Sequence, residues 1–310
     1  MFVVAGVTGK TGSVVARTLL ERRQPVRVIV TSAEKGVAWK AKGADVAVAS
    51  LGDAHVLANA LNGATSGYFL VPPNYQALEY LRDRRLLVDA LAAAVESSGL
   101  RHLVLLSSIG AHVPTETGPI RALHYAESRL GAVGCSMTIV RAPYFMENWM
   151  PVVSAARAQG ILPSFLAAGR KISMIAACDI GHIAAECVLD QPKGRRVLEL
   201  SGPQEYSPTD VAAVLGEQFH RHVAVQQLPL DAVVPTLTSM GWSEDVARLF
   251  EEMYAGFEHN RITYEGNGAC RPRGLVTLSE AVSSWIDPVG QPATDASVSS
   301  SHQRYAGDYP

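Results

Sequence analysis

Short apolar runs rich in β-branched residues alternate with amphipathic segments through the first half of the chain. The runs predict β-strands, and the segments between them predict α-helices. We expect strands near 2–5, 26–30, 45–48, 67–71, 102–107 and 137–141, and helices near 12–23, 33–42, 53–61, 76–98 and 121–132. This alternation predicts a parallel sheet with helices on both faces. In such a doubly wound sheet the ligand crevice lies at the carboxyl ends of the strands, so the residues that follow each strand are the functional candidates.

The pattern changes after residue 150, where helical segments predominate. Ser207, Pro208 and Asp210 have the residue types of a helix N-terminus. The predicted fold class is therefore α/β, a doubly wound parallel sheet with a smaller, mostly helical C-terminal lobe. We assign 1–150 to the sheet domain, which also recruits about 172–202, and 151–286 mainly to the lobe. The polar tail 287–310 is expected to be disordered.

The glycine-rich stretch GVTGKTG follows the first strand, at Gly6 to Gly12. Its Gly-Lys-Thr resembles the end of a nucleotide-triphosphate loop, whose pattern is G-x-x-x-x-G-K-[ST]. The first glycine of that pattern would fall at Val4, inside the strand, so the loop is too short. Gly6, Gly9 and Gly12 instead indicate a tight turn between strand and helix, where backbone amides approach a pyrophosphate. The alternative is a glycine-rich turn that holds no ligand.

Composition and charge exclude several other classes. With a net charge of −2, the 310-residue chain gives no reason to expect nucleic acid or an anionic membrane as partner. No apolar run of transmembrane length and no signal region is present, so we expect a cytoplasmic protein. The four cysteines form no C-x-x-C pair and no Cys/His cluster has zinc spacing, so no metal site is expected.

The end of the second strand bears on the choice of coenzyme. An acidic residue there would bind the adenosine ribose and select NAD, but Thr31 and Ser32 occupy the position. Together with Lys35, and with Lys10 and Thr11 from the glycine turn, these hydroxyls favour a 2′-phosphate, hence NADP(H) over NAD(H). The alternative is that Lys35 lies on a helix surface without a ligand.

Three further stretches follow predicted strands or lie beside them. Val71-Pro72-Pro73 is interpreted as a wall of the cofactor cleft or as a rigid proline turn. Ser107 follows the fifth strand, where it either orients a nicotinamide or caps the next element. Tyr125 and Arg129 have the i, i+4 spacing of a catalytic Tyr-x-x-x-Lys pair, with arginine in place of lysine. Tyr125 is therefore a candidate proton donor, although an ordinary amphipathic helix explains the same spacing.

The segment from Arg141 to Trp149 is the most distinctive after the glycine turn. It reads Arg-Ala-Pro-Tyr-Phe-Met-Glu-Asn-Trp, which places aromatic and amide groups after a strand. Tyr144, Phe145 and Asn148 are suitable groups to line a pocket for a flat, conjugated small molecule. The alternative is an aromatic linker that fills the core.

Together GVTGKTG, the segment 43–53, Phe-Leu-Val-Pro-Pro, Ile-Val-Arg-Ala-Pro-Tyr-Phe-Met-Glu-Asn and Ser-Gly-Pro-Gln-Glu-Tyr-Ser-Pro resemble the NmrA-like family of atypical short-chain dehydrogenase/reductases. The resemblance covers residues 1 to about 286. It implies a Rossmann-type NAD(P)-binding domain and a C-terminal substrate-binding lobe. It implies a pyrophosphate contact at Gly6, Thr8, Gly9, Lys10, Thr11 and Gly12, adenosine contacts at Thr31, Ser32, Lys35, Ser50 and Leu51, a nicotinamide wall at Val71, Pro72 and Pro73, and a substrate pocket at Tyr144, Phe145 and Asn148.

Three departures from the family pattern qualify this interpretation. Thr31 replaces a common arginine, Ser50 replaces a usual aspartate, and a lysine often found before Glu127 is missing. We expect an NAD(P)H-dependent oxidoreductase that passes hydride to a quinone-like or other conjugated carbonyl compound, with a homodimer as a possible assembly. The alternatives are a non-catalytic redox sensor that acts through a protein partner, and a natural-product tailoring reductase or epimerase.

Overall fold

The structure is a computed structural model that describes residues 1–286. The tail predicted at 287–310 lies outside the described residues. Within residues 1–286, no helix combines the length and the hydropathy that a membrane crossing requires.

A parallel sheet of seven strands forms the centre of the molecule, in the order β10-β6-β5-β4-β1-β2-β3. The strands are β1 Phe2–Val4, β2 Val26–Val30, β3 Asp45–Val48, β4 Ser66–Leu70, β5 His102–Ser108, β6 Ser136–Ala142 and β10 Arg195–Glu199. Parallel pairing sets the register; for example, Val4 lies opposite both Val28 of β2 and Tyr68 of β4. The strand order reverses between β1 and β4, and in this class of sheet the ligand crevice opens there.

Helices cover both faces of this sheet. They are α1 Lys10–Glu21, α2 Ala33–Ala41, α3 Ala54–Leu61, α4 Tyr80–Ser98, α5 Ile120–Gly131 and α7 Ala177–Asp190. Leu19 of α1 and Ile180 of α7 pack with Val28 and Val140 on one face, and Leu61 and Leu91 pack on the other. Because consecutive strands are parallel and joined by helices, the central strands are mostly buried on both faces and read as apolar runs, whereas the edge strands β3 and β10 are partly exposed.

The remaining elements form the C-terminal lobe. They are β7 Tyr144–Phe145, a 3-10 helix Met146–Val152, α6 Val153–Gln159, β8 Ile161–Ser164, β9 Ile172–Ile175, β11 Glu205–Tyr206, α8 Pro208–Phe219, β12 Ala224–Gln227, a 3-10 helix Leu230–Ala232, α9 Val233–Ser239, α10 Glu244–Glu258 and α11 Leu278–Ile286. Its short strands pair in two small sheets, β11-β9-β7 and β12-β8. The predicted Rossmann-type α/β class with a smaller, mostly helical lobe is confirmed.

Local capping explains where several of these elements begin. Ser207 and Asp210 form a reciprocal capping box at the start of α8, as the sequence predicts. Helix α4 begins at Tyr80 rather than near residue 76, so that prediction was wrong by one turn. The cause is non-local: the Tyr80 backbone N–H donates to the Asp245 carboxylate of α10 at 2.8 Å, which holds the preceding loop away from helical geometry.

Candidate functional site

The glycine turn between β1 and α1 brings backbone close to backbone. Gly6 has a φ of +68°, which disfavours any residue with a side chain. At Gly12 a Cβ would lie 2.5 Å from the Gly6 carbonyl oxygen, so a side chain there collides with the turn. The Gly9 N–H donates to the Gly6 oxygen at 2.9 Å, and Gly9 is the N-cap of α1 without a side-chain cap. The N-terminus of α1 is therefore open to an anion.

Lys10 and Thr11 follow Gly9 but have different environments. The Lys10 side chain is exposed and its Nζ contacts the Met150 sulfur at 2.7 Å, so it reaches from the turn to the C-terminal lobe. Thr11 is buried, and its Oγ1 accepts a hydrogen bond of 2.8 Å from the Tyr68 hydroxyl. Thr11 thus ties α1 to β4 with its side chain, and only its backbone amide belongs to the turn.

Hydroxyl and ammonium groups lie together at the end of β2. The Lys35 Nζ donates to the Thr31 Oγ1 at 3.0 Å, and Ser32 is the N-cap of α2 with no side-chain cap hydrogen bond. Both Thr31 and Lys35 are exposed. This corner therefore combines a cation, two hydroxyls and a helix N-terminus, which is a favourable setting for a phosphate.

One cleft connects these groups with the ends of β3 and β4. Seven of the residues predicted to contact the coenzyme line it: Gly6, Thr8, Thr31, Lys35, Ser50, Leu51 and Pro72. The other lining residues are apolar and were not predicted: Ala5, Ile29, Val30, Ala49, Leu70 and Leu87. Among the described residues that line this cleft, none carries a carboxylate. The cleft is thus apolar at its base, with polar groups at its rim.

The loop after β4 forms the outer side of the cleft. Val71 is buried, Pro73 is exposed, and the Pro72 carbonyl accepts a hydrogen bond of 2.6 Å from Arg84. Farther along, the Ser243 N–H donates to the Tyr75 oxygen at 2.9 Å, and the Ser243 hydroxyl donates to the Ala77 oxygen at 2.5 Å. Together with the Asp245 contact to Tyr80, these bonds dock the loop on the N-terminus of α10.

Ser107, predicted on the nicotinamide side, lies in a buried charged cluster. Its hydroxyl donates to Glu127 at 2.6 Å, and the Arg141 guanidinium binds both oxygens of Glu127 at 2.9 and 2.7 Å. Arg141 also binds Glu265 at 2.5 Å and lies 3.7 Å from Glu199. These bonds to Arg141 hold the pKa of Glu265 below its usual range. We call Ser107, Glu127, Arg141, Glu199 and Glu265 the charged cluster.

Tyr125 lies between α5 and α4. Its hydroxyl donates to the Asp89 carboxylate at 2.7 Å, and this bond raises the pKa of Tyr125. Arg129, the partner expected from the i, i+4 spacing, pairs with Glu96 at 3.1 Å and with the same Asp89 at 3.4 Å. The Tyr125 proton is thus bound to Asp89, and Tyr125 is not among the residues that line the cleft.

Tyr144 and Asn148 meet a residue of α10 beyond the end of β6. The Tyr144 hydroxyl lies close to the side chains of Asn148 and of Tyr254 on α10. The Tyr144 ring packs against Trp149 and Phe257, with centroids 6.0 and 5.9 Å apart. Burial raises the pKa of Tyr144 well above its usual value, so its hydroxyl stays protonated. We call Asn148, Tyr144 and Tyr254 the hydroxyl chain.

Phe145 and Glu147 fix the geometry of this segment. The side chain of Phe145 packs on the core that α1 and α7 cover, on the other side of the backbone from Tyr144. The Ala177 N–H donates to both Glu147 oxygens at 3.0 and 3.1 Å, so Glu147 caps α7. The 3-10 helix that carries Asn148 is therefore anchored to the sheet domain.

Sequence reasoning missed Tyr254 and an aromatic group beside it. Tyr75, from the loop after β4, stacks on Trp242 at 4.1 Å and contacts Phe250 at 6.2 Å. Phe250 lies one turn before Tyr254 on α10, and the ring of Tyr254 lies 5.2 Å from Phe165. These residues are distant in sequence, so only the aromatic spacing on α10 could have indicated them.

The fold and the cleft place this chain among the Rossmann-type α/β proteins, with a glycine turn at the point where the strand order reverses. The chain belongs to the NmrA-like family, whose model matches residues 1–291. The resemblance inferred from the motifs is therefore confirmed.

Two relatives and one solved structure are similar over most of the chain. NAD(P)H azoreductase of Xenophilus azovorans is 29% identical over 255 residues, which cover 82% of this chain and 86% of that protein. Quinone oxidoreductase 2 of Escherichia coli K12 is 25% identical over 288 residues, which cover 91% and 98%. The structure of the NADPH-dependent quinone oxidoreductase of Escherichia coli in complex with NADPH superposes with a TM-score of 0.77 at 24% identity, covering 91% of this chain and 99% of that one. At that identity the superposition shows the fold.

Proposed function

We propose that this NmrA-like oxidoreductase uses NADP(H) to reduce a quinone-like or other conjugated small molecule. The observation that carries the proposal is the cleft at the strand reversal, where an uncapped helix N-terminus, the Thr31–Lys35 pair and an apolar base lie together. The names of the azoreductase and quinone oxidoreductase relatives support the same class of acceptor.

The residues present fit a dinucleotide. The turn is so tight that a Cβ at Gly12 would collide with it. The unpaired amides at the start of α1 suit a pyrophosphate. Ser50 and Leu51 flank the adenine position, and Pro72 borders the nicotinamide side. The bound coenzyme supplies two electrons and a proton as hydride, and a second proton from water completes the reduction of a quinone to a hydroquinone.

Charge supports NADP(H) over NAD(H). Lys35 and the Thr31 and Ser32 hydroxyls would hold a 2′-phosphate, while no described lining residue offers a carboxylate to repel it. Lys10 adds a second cation at the turn.

The lobe supplies the substrate side in this proposal. Tyr144 follows β6, and Tyr75, which stacks on Trp242, follows β4. Since β5 lies between β4 and β6, the two aromatic groups would present their faces on either side of β5. A flat acceptor gains most from such faces when they hold it next to the coenzyme, because positioning lowers the barrier of a bimolecular step.

Steady-state oxidation of NADPH with a panel of benzoquinones, naphthoquinones and azo dyes tests the proposal. We expect saturable turnover with at least one acceptor class.

Lys35→Met should weaken the binding of NADPH while leaving the binding of NADH little changed, because it removes the cation at the 2′-phosphate. Lys193→Met, outside the cleft, is the matched control. Tight NADPH binding without turnover on any acceptor would instead support a redox sensor.

A further inference from the structure

The strand pairing indicates where the adenine of a bound coenzyme would lie. In the proposed function the adenosine ribose faces Thr31 at the end of β2, and Val30 of β2 lies opposite Val48 of β3. The Ala49 N–H donates to the Val30 oxygen at 2.9 Å, so the chain leaves β3 directly beside Thr31. A purine attached to that ribose therefore meets the residues that follow β3, from Ala49 to Leu51.

Apolar side chains from three elements form this part of the cleft. Ile29 of β2 and Ala49 are buried. Leu51, after β3, and Leu87 of α4 are half-buried, and all four residues line the cleft. Aliphatic side chains pack on a flat ring without distinguishing the polar groups on its edge. We call Ile29, Ala49, Ser50, Leu51 and Leu87 the purine pocket.

The polar side chains after β3 bind the backbone of their own loop. The Ser50 hydroxyl accepts a hydrogen bond of 3.2 Å from the Gly52 N–H. The Asp53 carboxylate accepts one of 3.1 Å from the Val56 N–H and caps α3. Ser50 and Gly52 are both exposed, so water reaches the edge of the pocket. Water can solvate an amino group or a carbonyl group there equally well.

We propose that the purine pocket selects the coenzyme by the shape of its base and not by the adenine amino group, so that NADPH and its hypoxanthine analogue bind with similar affinity. The inference rests on the proposed function and names the class of dinucleotide that the cleft accepts. Adenine presents an amino donor at C6, whereas hypoxanthine presents a carbonyl acceptor. A site separates such ligands strongly when the wrong one leaves a buried polar group of the protein unpaired, and the purine pocket buries apolar groups instead.

Direct titration of the protein with the two reduced coenzymes, followed by nicotinamide fluorescence, tests this inference without any acceptor. The two ligands have the same nicotinamide, the same pyrophosphate and the same 2′-phosphate, so their affinities differ only through the purine. We expect dissociation constants within about fivefold of each other, the effect of one ordinary hydrogen bond.

Ser50→Asp should create the missing selectivity. Its carboxylate would accept from the adenine amino group and repel the hypoxanthine carbonyl, so we expect a preference for NADPH of about 10- to 100-fold, the effect of a hydrogen bond to a charged group. The matched control is Ser32→Asp, which adds the same charge at the N-cap of α2, on the ribose side. It should weaken both coenzymes alike and keep the wild-type ratio.

The outcomes separate this inference from the proposed function. Similar affinities in the wild type, with a preference for NADPH in Ser50→Asp alone, support the inference even if no acceptor is turned over, in which case the proposed function fails alone. A wild-type preference as large as that of Ser50→Asp would refute the inference and leave the proposed function intact. An unchanged ratio in Ser50→Asp would also refute it, because the purine would then lie elsewhere. Binding of neither coenzyme would overturn both.

Discussion

Arg141 lies in β6 and Tyr144 three residues later in β7, yet they belong to opposite kinds of polar cluster. Arg141 is buried and binds Glu127 through two nitrogens and Glu265 through a third. Tyr144 is partly buried and lies close to two neutral side chains, Asn148 and Tyr254. Ion pairs hold the charged cluster together, whereas the hydroxyl chain contains only neutral groups.

The difference bears on how much each cluster contributes to the stability of the fold. The charged cluster ties β5, β6 and α5 to the segment around Glu265, and its buried ions depend on one another for solvation. The hydroxyl chain contains no ion, so it can exchange a partner at small cost. We infer that the charged cluster, rather than the hydroxyl chain, fixes the end of β6.

Arg141→Met should have the largest effect on this comparison. It leaves the carboxylates of Glu127 and Glu199 buried without their central cation, so we expect a loss of about 3–5 kcal/mol in the free energy of unfolding at pH 7. Arg195→Met is the control, because Arg195 is half exposed and lies 3.7 Å from Glu127; its cost should stay below about 1 kcal/mol. Urea unfolding measures both. Equal losses in the two variants would mean that the cluster does not depend on Arg141.

His102 extends the comparison to the opposite end of the same strands. Its ring bonds to Ser66 at 2.8 Å and Thr138 at 3.0 Å, and burial, aided by Arg196, lowers the pKa of His102 to about 4. The unfolded chain takes up a proton near pH 6.5 while the folded protein does not. Stability is therefore complete above that pH and falls by at most about 3 kcal/mol as the pH drops from 6.5 to 4.

His102→Gln removes this titration. The variant should be less stable than the wild type at pH 7 but should lose less stability on acidification, as measured by urea unfolding between pH 7 and 4. His259→Gln, at an exposed position, should keep the wild-type pH dependence. A pH dependence that is the same in all three proteins would contradict a neutral, buried His102.

Tyr144→Phe should have the smallest effect on stability. It removes a hydroxyl whose polar neighbours, Asn148 and Tyr254, are neutral, while the ring contacts with Trp149 and Phe257 remain. We expect a loss of no more than about 1 kcal/mol in the free energy of unfolding, the worth of a hydrogen bond between neutral groups. Thermal unfolding followed by circular dichroism measures the change. A loss as large as that of Arg141→Met would show that the hydroxyl chain contributes as much to the stability of the fold as the charged cluster does.

The architecture could be predicted from sequence because its signals are local. The apolar runs of β1 to β6 and the amphipathic helices between them needed no long-range information, and the parallel order followed from their alternation. The start of α4 could not be predicted, because Asp245 holds the Tyr80 N–H from a helix far along the chain. The strand β8 was hidden by Pro163, and its pairing with β12 depends on residues 63 positions later.

The candidate site shows the same division between local signals and contacts that are distant in sequence. The glycine turn and the Thr31–Lys35 pair each join residues a few positions apart, so the sequence could predict that they lie together, while their role in coenzyme binding stays a prediction. Ser107 and Tyr125 had suitable positions in sequence, but their carboxylate partners come from other helices. Tyr254 gave no signal of its own, because an aromatic residue on an amphipathic helix is usual in a core and its proximity to Tyr144 joins two distant segments.

The central claim is that the turn after β1 holds the pyrophosphate of a nicotinamide coenzyme, and calorimetric titration with NADPH tests it most directly. Gly9 has an extended backbone, and a Cβ there lies 3.2 Å from its nearest neighbour, so Gly9→Asp should fold and place a negative charge against the phosphates. Gly131→Asp, with no atom near its Cβ, is the control. We predict one saturable site in the wild type and in Gly131→Asp, and none in Gly9→Asp with an unchanged circular dichroism spectrum. Equal affinity in all three proteins, or no binding by the wild type, would contradict the account.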